Sequence, residues 1–196
     1  MTPTRMIEAS AIAAVISDPR RPDNPIIECN AAFEALTGYA RVEVIGRNCR
    51  FLRGEGTEPD LSEALREGIA QQKPVMVEIL NYKKDGTPFR NAVMVAPMFD
   101  ADGRLEFFLG SQMEMGDPLA GAGTTRKRDA LARIDRLSPR QREILIHMAA
   151  GKLNKQIAFE LGLTERTVKM HRSAVIRSLN VRTSAEAIRM AVEAGF

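Results

Sequence analysis

The sequence predicts an α+β domain built on an antiparallel sheet, followed by an all-helical domain. Three observations carry this prediction. Three strand-like runs, Val75–Lys83, Pro88–Met98 and Arg104–Met113, are separated by Asp85-Gly86 and Asp102-Gly103, dipeptides suited to hairpin turns. Behind Ser138 every segment has helical spacing and a helix cap instead. The charge divides in the same place: residues 1–116 carry 13 Lys and Arg against 17 Asp and Glu, a net −4, whereas residues 117–196 carry 15 against 8, a net +7. An acidic front and a basic rear imply two modules, the rear one facing a polyanion.

The elements follow in order. Ala11–Ser17 and Ile26–Cys29 read as short strands, and Asn30–Leu36 as a helical turn starting on an Asn cap. Glu58–Gln71 reads as a longer helix with Leu61, Leu65 and Ile69 four apart. The three-strand meander completes the sheet. Gly116–Thr125 is rich in Gly, Pro and small residues and reads as a hinge, followed by a connecting helix over Arg126–Arg136. The expected division is an α+β domain over 1–116, a hinge and connecting helix over 117–136, and a helical domain over 137–196. Ser138-Pro-Arg-Gln141 combines a Ser cap, Pro at the first helical position and Gln for a capping box, which opens a helix to about Ala150. Asn154 is expected to cap a second helix to Leu161, Thr164 a third to Leu179, and Ser184 a fourth to Ala194. Two short helices joined by a turn containing Gly162 make a helix-turn-helix.

Composition narrows the function classes. With 196 residues, 44% hydrophobic and 27% charged, the chain can bury a core. No apolar run approaches the ~18 residues of a membrane helix. The first residues lack a signal-peptide pattern, so a cytoplasmic location is expected. A disulfide between Cys29 and Cys49 is disfavoured there. Those two cysteines with His147 and His171 show no metal-ligand spacing, and no metal is expected.

In the front module the chemistry lies in Gly46-Arg-Asn-Cys-Arg-Phe-Leu52, where a thiol stands between an amide and a guanidinium. Taken alone, this is compatible with an inert half-buried cysteine. The stretch resembles the signature of the light-oxygen-voltage (LOV) photoreceptor branch of PAS domains. Further matches follow in order: Asn81 in Ile79–Gly86, Asn91 in Pro88–Asn91, and Gln112 in Phe108–Gln112, covering about residues 6–115. The resemblance implies a five-stranded sheet and a flavin. It places Asn48, Asn81 and Asn91 on the ring system, and Val15, Ser17, Leu52, Ile69, Val93 and Phe108 around the slot. Arg50 and Arg66 would grip the phosphate, since guanidinium forks match phosphate oxygens. Arg53 departs from the Gln frequent in the family, adding positive charge near that phosphate. FMN is expected, with FAD still open. The resemblance also implies that blue light drives a reversible bond between Cys49 and the flavin ring, and that Gln112 rotates its amide to relay the change.

The rear segment, Leu137–Phe196, resembles the LuxR-type helix-turn-helix of bacterial transcription regulators through Leu137–Glu143, Gly151–Ala158 and Leu163–His171. The third helix turns Val168, Val175, Ile176 and Leu179 inward. Lys169, Met170 and Ser173 then share an outer face suited to a major groove. Lys155, Thr164, Arg166 and Arg172 suit phosphates, while His171 suits the backbone or the helix interface equally. The fourth helix is apolar nearly all round, and some of that surface should meet a partner. In this family it is a dimerisation element, which puts Ala187, Ile188 and Ala191 at a dimer or LOV-docking face.

The two resemblances together imply a non-enzymatic blue-light transcription factor. Docked in the dark, it would dimerise in the light on double-stranded DNA with a two-fold operator, away from any membrane. Two other readings stand beside it: a sensor of a non-flavin ligand, and a flavoenzyme in which Cys49 is redox-active. The chain has no nicotinamide fingerprint and no second redox cysteine beside Cys49.

Overall fold

The computed structural model describes residues 6–115 and 122–196. Five strands, β1 (Ala13–Ser17), β2 (Ile26–Cys29), β3 (Val75–Tyr82), β4 (Pro88–Phe99) and β5 (Leu105–Glu114), form one sheet in the order β2-β1-β5-β4-β3. All neighbours are antiparallel. Helices α1 (Ala31–Thr37), α2 (Arg41–Val44) and α3 (Pro59–Ala70), with a 3-10 turn at Cys49–Leu52, lie between β2 and β3. Asn30 caps α1 as its position predicts, accepting from the Phe33 N–H at 3.0 Å. The same carbonyl accepts from Ala14 N, and the amide donates to the carbonyls of Ile7 and Ile12. A single buried amide therefore ties the N-terminal segment, β1 and α1 together.

Behind the sheet come α4 (Ala122–Ile134), α5 (Pro139–Ala149), α6 (Asn154–Leu161), α7 (Glu165–Ser178) and α8 (Ser184–Ala194). The first half of the expected hinge, 116–121, lies outside the described residues. Its second half is helical, because α4 begins at Ala122, four residues before the expected start. Ser138 and Gln141 form the capping box: Gln141 N donates to Ser138 Oγ (3.3 Å) and Ser138 N to Gln141 Oε1 (3.0 Å). Two cap positions move by one residue. Asn154 is the first residue inside α6, and Gln156 Oε1 accepts from Leu153 N (2.8 Å) while the Asn154 side chain turns to Arg172. Thr183, not Ser184, caps α8, accepting from Glu186 N at 3.2 Å.

Strand alternation gives the sheet two different faces. One face carries Val15, Gly110, Gln112 and Val93 toward α3 and the 3-10 turn. The other carries Ala14, Ile16, Met94, Ala96 and Leu109, all at most 2% exposed. These side chains belong to one continuous apolar cluster with Ile134, Ile144, Met148, Ile188 and Ala191 of the helical part. The helical domain thus covers the outer face of the sheet. Polar bonds mark the seam. Arg189 Nη1 donates to Ala92 O (3.1 Å) and Ser111 Oγ (3.0 Å), and Arg189 Nε to Glu193 Oε1 (2.8 Å). Phe99 N donates to Gly151 O (3.2 Å), Gln156 Nε2 to Asp100 O (3.2 Å), and Ser10 Oγ to Glu186 Oε1 (3.0 Å). Gly151 (φ +77°) lies so close that a Cβ there would stand 2.1 Å from Pro97 O. This position needs glycine both for its dihedral and for the approach.

Candidate functional site: a cavity in the front domain

A cavity of about 440 Å³ opens between the inner sheet face, α3, the 3-10 turn and the loop after β1. Every residue expected around a cofactor lines it: Val15, Ser17, Asn48, Cys49, Arg50, Leu52, Arg53, Arg66, Ile69, Asn81, Asn91, Val93, Phe108 and Gln112. The strands explain the convergence. Gln112 pairs in register with Ala13 on one side and Val93 on the other, and Phe108 with Ser17, so these side chains emerge on one face.

The polar wall is made of amides. Asn91 Nδ2 donates to Asn81 Oδ1 (2.9 Å), and Asn91 Oδ1 accepts from Met113 N (3.2 Å). Both asparagines are buried, which fixes their side chains by hydrogen bonds rather than by solvent. Asn48 turns toward the loop: its amide donates to Asp23 O (2.7 Å), and its carbonyl caps the 3-10 turn by accepting from Arg50 N (3.0 Å). Gln112 Nε2 donates weakly to Cys49 Sγ at 3.9 Å. The Gln112 Oε1 is buried and unpaired among the described residues, as is Asn24 Oδ1. A buried acceptor without a donor costs about 1–3 kcal/mol, so a group in the cavity that donates to Gln112 would be held there.

Burial pushes the Cys49 thiol up to about 12, with the Arg53 charge opposing. The sulfur is therefore held as a thiol at neutral pH. Burial also draws the Arg53 guanidinium down, reinforced by its neighbours Arg66 and Arg50. At the mouth, Arg50 pairs with Asp23 (2.5 Å), Arg21 with Asp18 (3.4 Å), and Arg66 with Glu63. The loop after β1 escaped the sequence reading. Pro19, Arg21, Asp23 and Asn24 line the cavity, and Asp23 and Asn24 have positive φ (69° and 48°). The Asp23-Asn24-Pro25 turn is legible in the sequence, but nothing in it says that the turn closes over a cavity. Gly110 was missed for the same reason; a Cβ there would sit 2.8 Å from Val15 Cγ2 and 3.4 Å from Gln112 Nε2. The site fits a flat, edge-bonding anionic group such as a flavin nucleotide. It offers apolar walls, fixed amides, an unpaired buried carbonyl and an arginine-lined mouth.

The second surface is on the helical domain. Lys155, Thr164, Arg166, Lys169, Met170 and Ser173 are exposed. Val168, Val175 and Leu179 are buried beneath them. Thr164 Oγ1 caps α7 by accepting from Thr167 N (3.1 Å). Arg172 is turned inward, donating to Asn154 Oδ1 (2.9 Å), and burial lowers its pKa. Ala187, Ile188 and Ala191 are buried in the seam. Arg189, 1% exposed, joins them, which no local sequence pattern indicates.

Residues 13–115, more than half of the chain, match the PAS domain family. The chain belongs to the PAS family. Its relatives specify the branch. A light-oxygen-voltage domain solved in work on a flavin analogue is 41% identical with a TM-score of 0.55, covering 60% of this chain and 87% of that one. The LOV domain of the Erythrobacter litoralis EL346 blue-light-activated histidine kinase is 42% identical with a TM-score of 0.52, covering 54% of this chain and 97% of that one. The PAS domain here is therefore of the LOV type. Blue-light-activated histidine kinase 1 of Erythrobacter litoralis (strain HTCC2594) is 49% identical over 122 residues, 60% of this chain. The Brucella canis blue-light-activated histidine kinase is 45% identical over 109 residues, 56% of this chain. This chain spans 34% and 22% of those two kinases. Residues 135–191 match the LuxR family of bacterial regulatory proteins instead, so the LOV domain is followed by a LuxR-type DNA-binding domain. No helix among the described residues is long and apolar enough to cross a membrane.

Proposed function

We propose that this chain is a one-component, non-enzymatic transcription regulator, acting in the cytoplasm, in which blue light frees a DNA-binding domain to dimerise. Its parts are a sensor over 1–116, a hinge and connecting helix over 117–136, and a DNA reader over 137–196. The observation that carries the reading is Gln112. Its amide lies 3.9 Å from Cys49 Sγ with its carbonyl unpaired. The preceding residue, Ser111, faces the other side of the sheet and holds Arg189 of α8.

A bound flavin, FMN with FAD as the alternative, would absorb the light and supply a ring carbon that takes the Cys49 sulfur reversibly. Cys49 would supply the sulfur and its thiol proton, and Gln112, whose amide meets Cys49, would turn its carbonyl toward that proton once it has moved, because a mismatched buried pair costs ~1–3 kcal/mol. Asn81 and Asn91 orient the ring edge, and Asn48 would join them only by releasing Asp23 O. Val15, Ser17, Leu52, Ile69, Val93 and Phe108 wall it and exclude water. Arg50, Arg53 and Arg66 hold the phosphate. Displacement of β5 at Gln112 is felt at Ser111, loosening Arg189 and the seam around Ala187, Ile188 and Ala191. A coupling of the size in play, typically 1–3 kcal/mol, suits a switch.

Freed, α8 becomes the face of a homodimer. Two α7 helices then meet two-fold double-stranded DNA, with Lys169, Met170 and Ser173 toward the bases and Lys155, Thr164 and Arg166 toward phosphates. In the docked arrangement Arg172 braces α6 against α7, so a phosphate role would require it to leave Asn154. The decisive experiment is an absorption spectrum before and after a blue flash. A structured band near ~450 nm that bleaches and recovers is expected from a flavin meeting a cysteine. A protein that stays colourless with flavin supplied contradicts the reading and moves the cavity to another ligand.

A further inference from the structure

Six of the chain's ten methionines, Met6, Met76, Met94, Met98, Met148 and Met190, belong to the apolar cluster where the helical domain meets the sheet. Met94 and Met148 are fully buried in that cluster. Three others are half-buried and line two solvent-reaching cavities along the seam. Met113 of β5 and Met190 of α8 line one of about 360 Å³, together with Arg189 and Arg133. Met76 of β3 lines the other, of about 330 Å³, beside Val192 and Gly195 at the end of α8. A thioether is apolar, flexible and polarizable, which suits surfaces that must part and rejoin. It is also the group in such a seam most readily oxidised by two electrons, to a polar sulfoxide. Neither cysteine competes there: Cys29 is buried in the cluster with Phe33 and Val44, and Cys49 lines the cavity on the opposite face of the sheet.

We propose that Met76, Met113 and Met190 form an oxidation site through which peroxides release α8 from the sheet without light. Each sulfur attacks a peroxide oxygen. The O–O bond breaks, the S–O bond forms, and water leaves from hydrogen peroxide or the alcohol from an alkyl hydroperoxide; sulfur is oxidised by two electrons and the peroxide is reduced. The new oxygen is a strong acceptor placed in an apolar packing surface. In the cavity under α8 it competes with Ala92 O and Ser111 Oγ for the Arg189 guanidinium. Methionine sulfoxide reductases reverse the change, so the site can reset.

The proposal rests on the reading that undocking of α8 is the active change, and the test separates the two. The full-length Cys49→Ala chain, kept dark, is treated with hydrogen peroxide. Peptide mass spectrometry follows oxygen uptake, and amide exchange follows residues 184–194. Uptake at Met76, Met113 and Met190 is expected several-fold faster than at Met94 and Met148. It is accompanied by faster exchange in α8, and the reductase restores both. The triple variant Met76→Leu, Met113→Leu, Met190→Leu loses the peroxide response, and with Cys49 present it keeps the light response. The idea is overturned if the three stay reduced under peroxide that oxidises exposed Met170. It is equally overturned if they oxidise with α8 exchange unchanged, or if the triple variant responds as strongly. Undocking by peroxide but not by light in the native chain would sink the photochemical reading alone.

Discussion

In the proposed mechanism Cys49 carries the chemistry, Gln112 the relay and Arg189 the lock between the domains. Because burial holds Cys49 as a thiol up to about 12, its reaction should be insensitive to pH between about pH 6 and 9, well below that value. The same shift acts on stability with a definite sign. The folded thiol keeps its proton where the unfolded one loses it, so stability falls as pH rises from the unfolded value near 9.0 toward 12. Cys49→Ala should flatten that decline in denaturant titrations, keep the bound flavin and abolish reversible bleaching. Gln112→Leu should still bleach, since the thiol remains, yet lose most of the light-induced change at α8; an undiminished change would remove Gln112 from the relay. Arg189 is a buried charge satisfied by Glu193, Ser111 and Ala92. Arg189→Met removes the ion-pair partner of Glu193 in the seam, and breaking such a buried pair costs about 3–5 kcal/mol. We expect a chain undocked in the dark, read as a larger radius by small-angle scattering with the front domain still folded.

Among the elements, strands and caps were legible where local chemistry decides. The hairpin dipeptides gave the β3–β5 meander, and Ser138-Pro-Arg-Gln141 gave the start of α5 as found. Sequence reading failed where a tertiary contact decides. Asn154 looks like a cap, but Arg172 takes its carbonyl. The start of α4 runs back into residues whose Gly-rich composition argues for a hinge. Helix α2 at Arg41–Val44 is too short to show a period. The loop after β1 becomes a cavity wall through bonds from Asn48 and Arg50 to Asp23, contacts that no local pattern announces. Gly151 reads as the stop of α5 and is also the point where that turn meets β4. Gly151→Ala should therefore act at a distance from both sites. Its Cβ would strike Pro97 O, and the expected result is faster amide exchange along Pro97–Phe99 and in α6 in the dark.

For the whole molecule, the outer sheet face and α8 solve each other's problem. A sheet with Ile16, Met94 and Leu109 outward, and a helix apolar nearly all round, are each unfit to face water. Burying a side chain the size of Ile or Leu contributes about 1.5–3 kcal/mol, so docking is favoured until something opposes it. The apolar helix was legible in the sequence and its docking was expected through the family resemblance; the apolar sheet face that receives it was not, because only the assembled fold brings residues 92–111 against 184–194. The recognition face with Lys169 and Met170 stays exposed in the docked arrangement. Control is therefore expected to act on dimer formation rather than on access to DNA. The most direct test is amide exchange on the flavin-loaded full chain in the dark and under continuous blue light. The account predicts that protection falls in residues 184–194 and across Ala92–Ala96 under light, and returns in the dark. Protection unchanged in both segments, in a sample whose flavin band has bleached, would contradict it.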